Sequence, residues 1–299
     1  MESLMAGKDE ILNNLFTGRE DLPSLPSIFG EFNVLIGSPS VSPRKVAALI
    51  KKDQGMVVKV INLCNAALHG KRETITDISN AVAYLGLAKM KRMVLQISLS
   101  RMFTFGPSQI PDFEPIVFWE HSLGTAYFSE LLARNLNLPP NEDFYLGGLM
   151  HDIGKKMLYL AYPDKFEEIV FNQINEGIPD LEAEREVLDG VDHTDIGAFF
   201  AQKWKFGKPI VDAIKNHHFL PDEETNEVTL IVHLANLFAK TAELCFPWED
   251  RALNIAKSGV WEKIPAVSKA DIDPDKLTLQ LFDATPEIKM TVKTLLSSK

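Results

Sequence analysis

Residues 56–68 read Met56-Val57-Val58-Lys59-Val60-Ile61-Asn62-Leu63-Cys64-Asn65-Ala66-Ala67-Leu68. Apolar side chains recur at Met56, Val57, Val60, Ile61, Cys64 and Leu68, the three-and-four spacing that lines one face of an α-helix. Gly70 is placed to end that helix. The same period extends to both sides. Ahead of Val46, Leu49 and Ile50, Ser42-Pro43 supplies a capping hydroxyl and a first-turn proline. Asp77 is placed to cap a third helix through Ala81, Val82 and Leu85 that Gly86 closes, and a fourth runs from Leu87 to about Phe103. There is no Val/Ile-rich alternating hairpin with an Asn-Gly or Asp-Gly turn, so the chain reads as all-α.

The stretch Gly106-Pro107-Ser108-Gln109-Ile110-Pro111-Asp112 breaks the helical pattern. It divides the chain into two helical subdomains, 1–105 and 106–245, with 246–299 as a C-terminal helical extension. In the second subdomain a long helix is expected over Glu114–Leu136, and another leads into Met150-His151-Asp152. Pro163 opens a helix that Gly177 closes. Helices over His193–Lys205, Lys208–His218 and Asn226–Leu244 follow, and a last one lies near Pro286–Leu296.

Composition narrows the functions open to such a chain. Of 299 residues, 45% are hydrophobic and 24% charged, the balance of a globular protein with a core of its own. With 31 Lys and Arg against 41 Asp and Glu, the net charge of −10 disfavours broad nucleic-acid binding. Cys64 and Cys245 lie in separate apolar stretches, which excludes a disulfide scaffold and suits a reducing cytoplasm. Met1–Glu10 lacks the apolar core of a signal peptide, and no apolar run approaches the roughly 18 residues of a membrane span. The expectation is a soluble cytoplasmic protein.

The histidines point to chemistry. His69 precedes the Gly106–Asp112 break, whereas His121, His151, His193, His217, His218 and His233 follow it, mostly on helical segments. Imidazoles and carboxylates on facing helices are how helical bundles build metal sites. The dipeptide His151-Asp152 delivers two donors to one point. His217 and His218 point about 100° apart if helical, so both reach one metal only where the helix ends, as Pro221 suggests. His233 reads as a core residue.

Met150-His151-Asp152-Ile153-Gly154-Lys155 resembles the core motif of the HD superfamily of metal-dependent phosphohydrolases. The wider pattern is similar to its HDOD branch, the HD-related output domain of bacterial signalling proteins. That likeness rests on three stretches. One begins at Leu22-Pro23-Ser24-Leu25-Pro26 and continues through 46–53 and 60–67. A second is 75–86. The third runs from Asp192-His193-Thr194-Asp195 through Trp204 to His217-His218.

The resemblance implies an HD-type helical bundle as the second subdomain, with one or two divalent transition metals in it. His121, His151 and Asp152 match the ligands of the first metal, and Asn236 stands where an aspartate is expected. His193, His217 and His218 match those of a second, bridged through Asp152. A histidine-rich set argues against magnesium or calcium; family analogy favours iron or manganese, with nickel or zinc as alternatives. Phe219-Leu220-Pro221-Asp222 stands where relatives that hydrolyse a cyclic dinucleotide carry Gly-Tyr-Pro.

Two functions follow as expectations. One is a signal-transduction regulatory module that keeps its metal site and acts on a signalling protein partner. The other is a metal-dependent phosphohydrolase of a nucleotide or other phosphoester, with Asp152 and Lys155 as catalytic residues. Lys155 reads equally as a phosphate contact or as a solvated lysine beside Lys156. Asp192 and Asp195 are candidates to orient His193, Asp192 reading better as a helix cap.

Overall fold

The computed structural model describes residues 2–18, 27–36, 38, 40–67, 74–102, 114–219, 225–249 and 274–297. In chain order its helices are α1 (Glu2–Phe16), α2 (Ser27–Ile36), α3 (Pro43–Ile50), α4 (Gln54–Ala67), α5 (Ile78–Met102), α6 (Pro115–Asn135) and α7 (Glu142–Met150). They continue with α8 (Ile153–Ala161), α9 (Pro163–Phe171), α10 (Asp180–Val187), α11 (His193–Lys203), α12 (Lys208–Asn216), α13 (Glu227–Thr241) and α14 (Pro274–Ser297). No strand occurs among the described residues, so the fold is all-α. None of these helices is long and apolar enough to cross a membrane.

The chain forms two compact units, each discontinuous in sequence. One joins Met1–Leu22 to Pro107–Ile288, and the other joins Pro23–Gly106 to Lys289–Lys299. α1 therefore belongs with the later helices, not with 23–105 as a division at residue 105 supposes. The end of α14 belongs with the earlier ones. His69, Gly70, Gly106–Asp112 and Trp261 lie outside the described residues.

The smaller unit follows the sequence closely. Ser42 Oγ accepts the Lys45 N–H at 3.4 Å with Pro43 in the first turn of α3. Val46, Ile50, Met56, Val60, Cys64, Val82 and Met90 are buried. The two helices expected on either side of Gly86 run as one element, α5, broken by a non-helical backbone at Gly86 with φ +75°. Only a residue without Cβ adopts that angle readily.

In the larger unit α6 buries Phe118, Trp119, Leu123 and Phe128 and packs on α7 and α13. α8 packs on α11, α11 on α12, and α12 on α7 and α13. The α8–α11 crossing is close: a Cβ on Gly154 would lie 1.9 Å from the His193 carbonyl oxygen. α1 docks on α11 through Phe16, whose ring meets Phe200 edge-on at 5.1 Å, and through Lys8, 2.7 Å from Asp195. α9 opens with Pro163 and runs into a single π turn, Asn172–Glu176, which Gly177 closes at φ +68°. α14 starts twelve residues earlier than the expected Pro286, which lies inside it. An interior proline costs on the order of 3 kcal/mol. Leu277, Leu281, Ile288, Val292 and Leu295 hold a continuous buried stripe across it that offsets the loss.

Candidate metal centre

Each histidine is delivered by a helix or a helix end. His121 lies within α6, and His151-Asp152 form the two-residue junction between α7 and α8. His193 opens α11 because Asp192 caps it. Asp192 Oδ1 accepts the N–H of Thr194 at 3.0 Å and of Asp195 at 3.2 Å, while Asp195 Oδ2 accepts the Asp192 N–H at 3.3 Å. This reciprocal capping box is the role that Asp192 reads best for. α12 stops at Asn216, and the turn that follows sets the His217 and His218 rings 4.2 Å apart, with the His218 ring 5.0 Å from that of His193.

The side-chain donors form three groups; two share the Asp152 carboxylate, and the third joins Asp180 and Glu184 to His193. In the first, His121 Nε2 and His151 Nε2 lie 3.0 Å apart, and each is 3.6 Å from Asp152 Oδ2. In the second, His193 Nε2 and His217 Nε2 are each 3.2 Å from Asp152 Oδ1 and 3.4 Å from one another, with His218 Nε2 3.1 Å from His193 Nε2. Donors bound 2.0–2.1 Å from one cation stand about 3.0–3.4 Å apart. The contacts of the second group have that spacing, and so do the two imidazoles of the first, with Asp152 Oδ2 slightly farther out at 3.6 Å.

The far nitrogens explain why the near ones converge. His121 Nδ1 meets the Leu244 carbonyl at 2.7 Å, His151 Nδ1 that of Gly148 at 2.7 Å, and His217 Nδ1 that of Ile214 at 2.8 Å. A carbonyl only accepts, so these assignments put the proton on Nδ1 and a bare lone pair on Nε2. Burial drives the pKa of His121, His151 and His217 below the ordinary histidine value, which keeps the rings neutral. Two lone pairs 3.0 Å apart on His121 and His151 repel unless a cation lies between them. Asn236, buried on α13, presents an Oδ1 that accepts no hydrogen bond among the described residues.

His193 differs. Burial would lower its pKa, but the Glu184 and Asp152 carboxylates overcome this and lift it to about 10. In the metal-free protein its proton is thus the local cation between two carboxylates. The residue that orients it is Glu184, whose Oε2 accepts both the ring Nδ1–H and the backbone N–H at 2.7 Å. Asp195, a candidate for that task, instead binds Lys8 and Lys215. Glu184 escapes a reading of the sequence because Glu182 and Glu186 flank it on the same short helix. The available signal is its period, which places it beside Ala183 and Leu188 on the buried side.

Lys155 and Lys156 are both buried, at 7% and 1% exposure, so the solvated reading of Lys155 falls. Lys155 Nζ lies among Asp152, Asp180 and Glu249 at 3.4, 2.8 and 2.9 Å. Asp180 and Glu249 were not anticipated. Burial opposes the charge on Lys155, yet the three carboxylates hold its pKa well above the usual lysine value. Asp152 is likewise held well below the carboxylate range, against burial, by Lys155 and the histidines. His233 is buried beside His217 and joins none of the three donor groups.

Comparison with known proteins places this arrangement. The structure superimposes on an HDOD domain protein of unknown function from Geobacter sulfurreducens with a TM-score of 0.83, at 23% identity over 97% of this chain and 99% of that one. A candidate phosphohydrolase from Shewanella amazonensis SB2B matches with a TM-score of 0.73, at 21% identity over 95% and 97%. At these identities the likeness is one of fold. An uncharacterized protein of Treponema pallidum (strain Nichols) is 29% identical over 234 residues, 77% of this chain and 44% of the relative, so the chain spans less than half of that protein's length. The model of the HDOD domain matches residues 22–220, a stretch that contains all six donors from His121 to His218 and about two thirds of the sequence, and the chain belongs to the HDOD family.

Proposed function

We propose that this protein is an HDOD-type signal-transduction module built around a centre for two divalent transition-metal ions, working in the cytoplasm through a signalling protein partner. His121, His151 and Asp152 hold the first ion, and Asn236, which stands where the family resemblance expects an aspartate, is a further candidate donor. Asp152, His193, His217 and His218 hold the second. The observation that carries this reading is the convergence of the bare Nε2 lone pairs of His121, His151 and His217, each fixed by an Nδ1–H bonded to a carbonyl. Imidazole-rich donors suit iron and manganese, and also nickel and zinc. Glu184 aims His193, and Asp152 spans both positions with its two oxygens.

The regulatory role is supported by the engagement of Lys155. Its charge is matched by three carboxylates, so the group best placed to grip a phosphate is already held. Elemental analysis of the purified chain tests the metal reading. Wild type should carry near-stoichiometric transition metal, and a His151→Ala/Asp152→Ala double variant little. Metal-free wild type after incubation with iron, manganese, nickel and zinc refutes it.

The second reading, a metal-dependent phosphohydrolase, is favoured by the bridging position of Asp152. Two cations in such a site would supply Lewis acidity and acidify a bound water. Turnover of any member of a phosphomonoester and phosphodiester panel by metal-loaded protein, abolished in the double variant, would support it. An inert panel refutes it.

A further inference from the structure

An ammonium group has three N–H donors, and three carboxylates surround that of Lys155. Of these, Glu249 Oε1 accepts a hydrogen bond from Nζ, while Asp152 and Asp180 are ion-pair contacts. Asp152 belongs to the α7–α8 junction and Asp180 opens α10. Glu249 has a different origin. It ends the segment 244–249 after α13 and lies beyond the 22–220 stretch of the family match.

That segment is tied to itself and to the centre. The Phe246 N–H donates to Glu249 Oε2 at 3.2 Å, and the Phe246 and Trp248 rings stack at 4.8 Å. The Leu244 carbonyl accepts the His121 Nδ1–H at 2.7 Å. Six residues thus fix the His121 ring and also fill a position on Lys155. Glu249 Oε1 stands 2.9 Å from Nζ, the distance at which a phosphoryl oxygen would sit. Burial favours the neutral acid, but Lys155 and Lys240 outweigh it and keep Glu249 ionised.

We propose that Glu249 is an internal stand-in for an anionic ligand, occupying on Lys155 the position that a phosphoryl oxygen of inorganic phosphate or a phosphoester would take. The centre accepts such an anion when the segment 244–249 withdraws. This rests on the metal reading, because without cations Asp152, Asp180, Glu184 and Glu249 would repel any anion.

The test is calorimetric titration of inorganic phosphate into the metal-loaded full chain, with metal content and circular dichroism measured on the same samples. Glu249→Gln should bind phosphate about tenfold more tightly than wild type at equal metal content, because a buried carboxylate no longer opposes the anion. Adding Lys155→Met should abolish that gain. Glu249→Asp, which withdraws the carboxylate by one methylene, should fall between wild type and Glu249→Gln, and serves if the latter misfolds. Loaded Glu249→Gln that binds phosphate no better than wild type overturns the stand-in, as does a gain that survives Lys155→Met. Metal-free wild type refutes the metal reading instead, so the two failures are separate.

Discussion

Replacing Gly154 with alanine probes how α8 and α11 hold the second donor group. The added methyl would meet His193 O at 1.9 Å, His193 C at 2.7 Å and Gly197 N at 2.8 Å. Each of these atoms is backbone, so no side-chain rotation relieves the clash. Ordinary contact begins at 3.4 Å, and the helices must part by roughly 1.5 Å because a packed interior has no slack. Overpacking of this severity costs about 3 kcal/mol, and a unit of this size should melt roughly 6–12 °C lower. The chemical readout is sharper. His193 Nε2 stands 3.2 Å from Asp152 Oδ1, and metal–ligand bonds tolerate about 0.2 Å. His121 and His151 do not belong to α11. Elemental analysis should therefore find metal content lowered by about half, with the His121–His151–Asp152 group still loaded. A variant that keeps all its metal and melts within about 2 °C of wild type would refute the inference that this crossing positions His193.

Three further outcomes are expected. Glu184→Gln, which weakens the bond to His193 Nδ1, should lower second-site metal affinity about 10–100-fold in competition with a chromophoric chelator; unchanged affinity would remove Glu184 as the orienting group. Burial lowers the Lys156 amine to about 7, below its unfolded value of about 10.4. The unfolded chain then binds more protons between those values, so wild-type stability rises with pH across that window. Lys156→Met should accordingly stabilise the protein by about 2–4 kcal/mol at pH 7, with the margin shrinking toward pH 9.5, and a pH-independent margin in thermal melts would contradict this. Burial raises the Cys64 thiol to about 11, so an aromatic disulfide reagent should leave it unmodified until denaturant is added; rapid labelling of native protein would count against that burial.

The helices were legible because their causes are local. Ser42-Pro43, Gly86, Pro163, Gly177 and Asp192 act within a few residues of themselves, and each does what its chemistry dictates. The histidine donors could be singled out as a group because ligands on separate helices still carry recognisable residue types. Their partners could not. Glu249 meets Lys155 across 94 positions and Lys8 meets Asp195 across 187. Nothing in the sequence distinguishes those charges from the solvated ones around them. The division at residue 105 departs from the structure for the same reason, since α1 reaches its unit through contacts that only the folded chain makes.

The interleaving of the two units sets the order in which this protein is assembled. α1 is synthesised close to two hundred residues ahead of its seat on Asp195 and Phe200. The smaller unit waits as well, because Lys59 donates to the Leu295 carbonyl, 236 residues later. Neither unit closes until its distant segment has been made, so the smaller unit does not mature ahead of the larger in the domain-by-domain course usual for nascent chains. Leu12 and Phe16, both buried in the finished protein, are left in want of a temporary cover until then, and a nascent-chain chaperone that binds short apolar helices would find its target in α1.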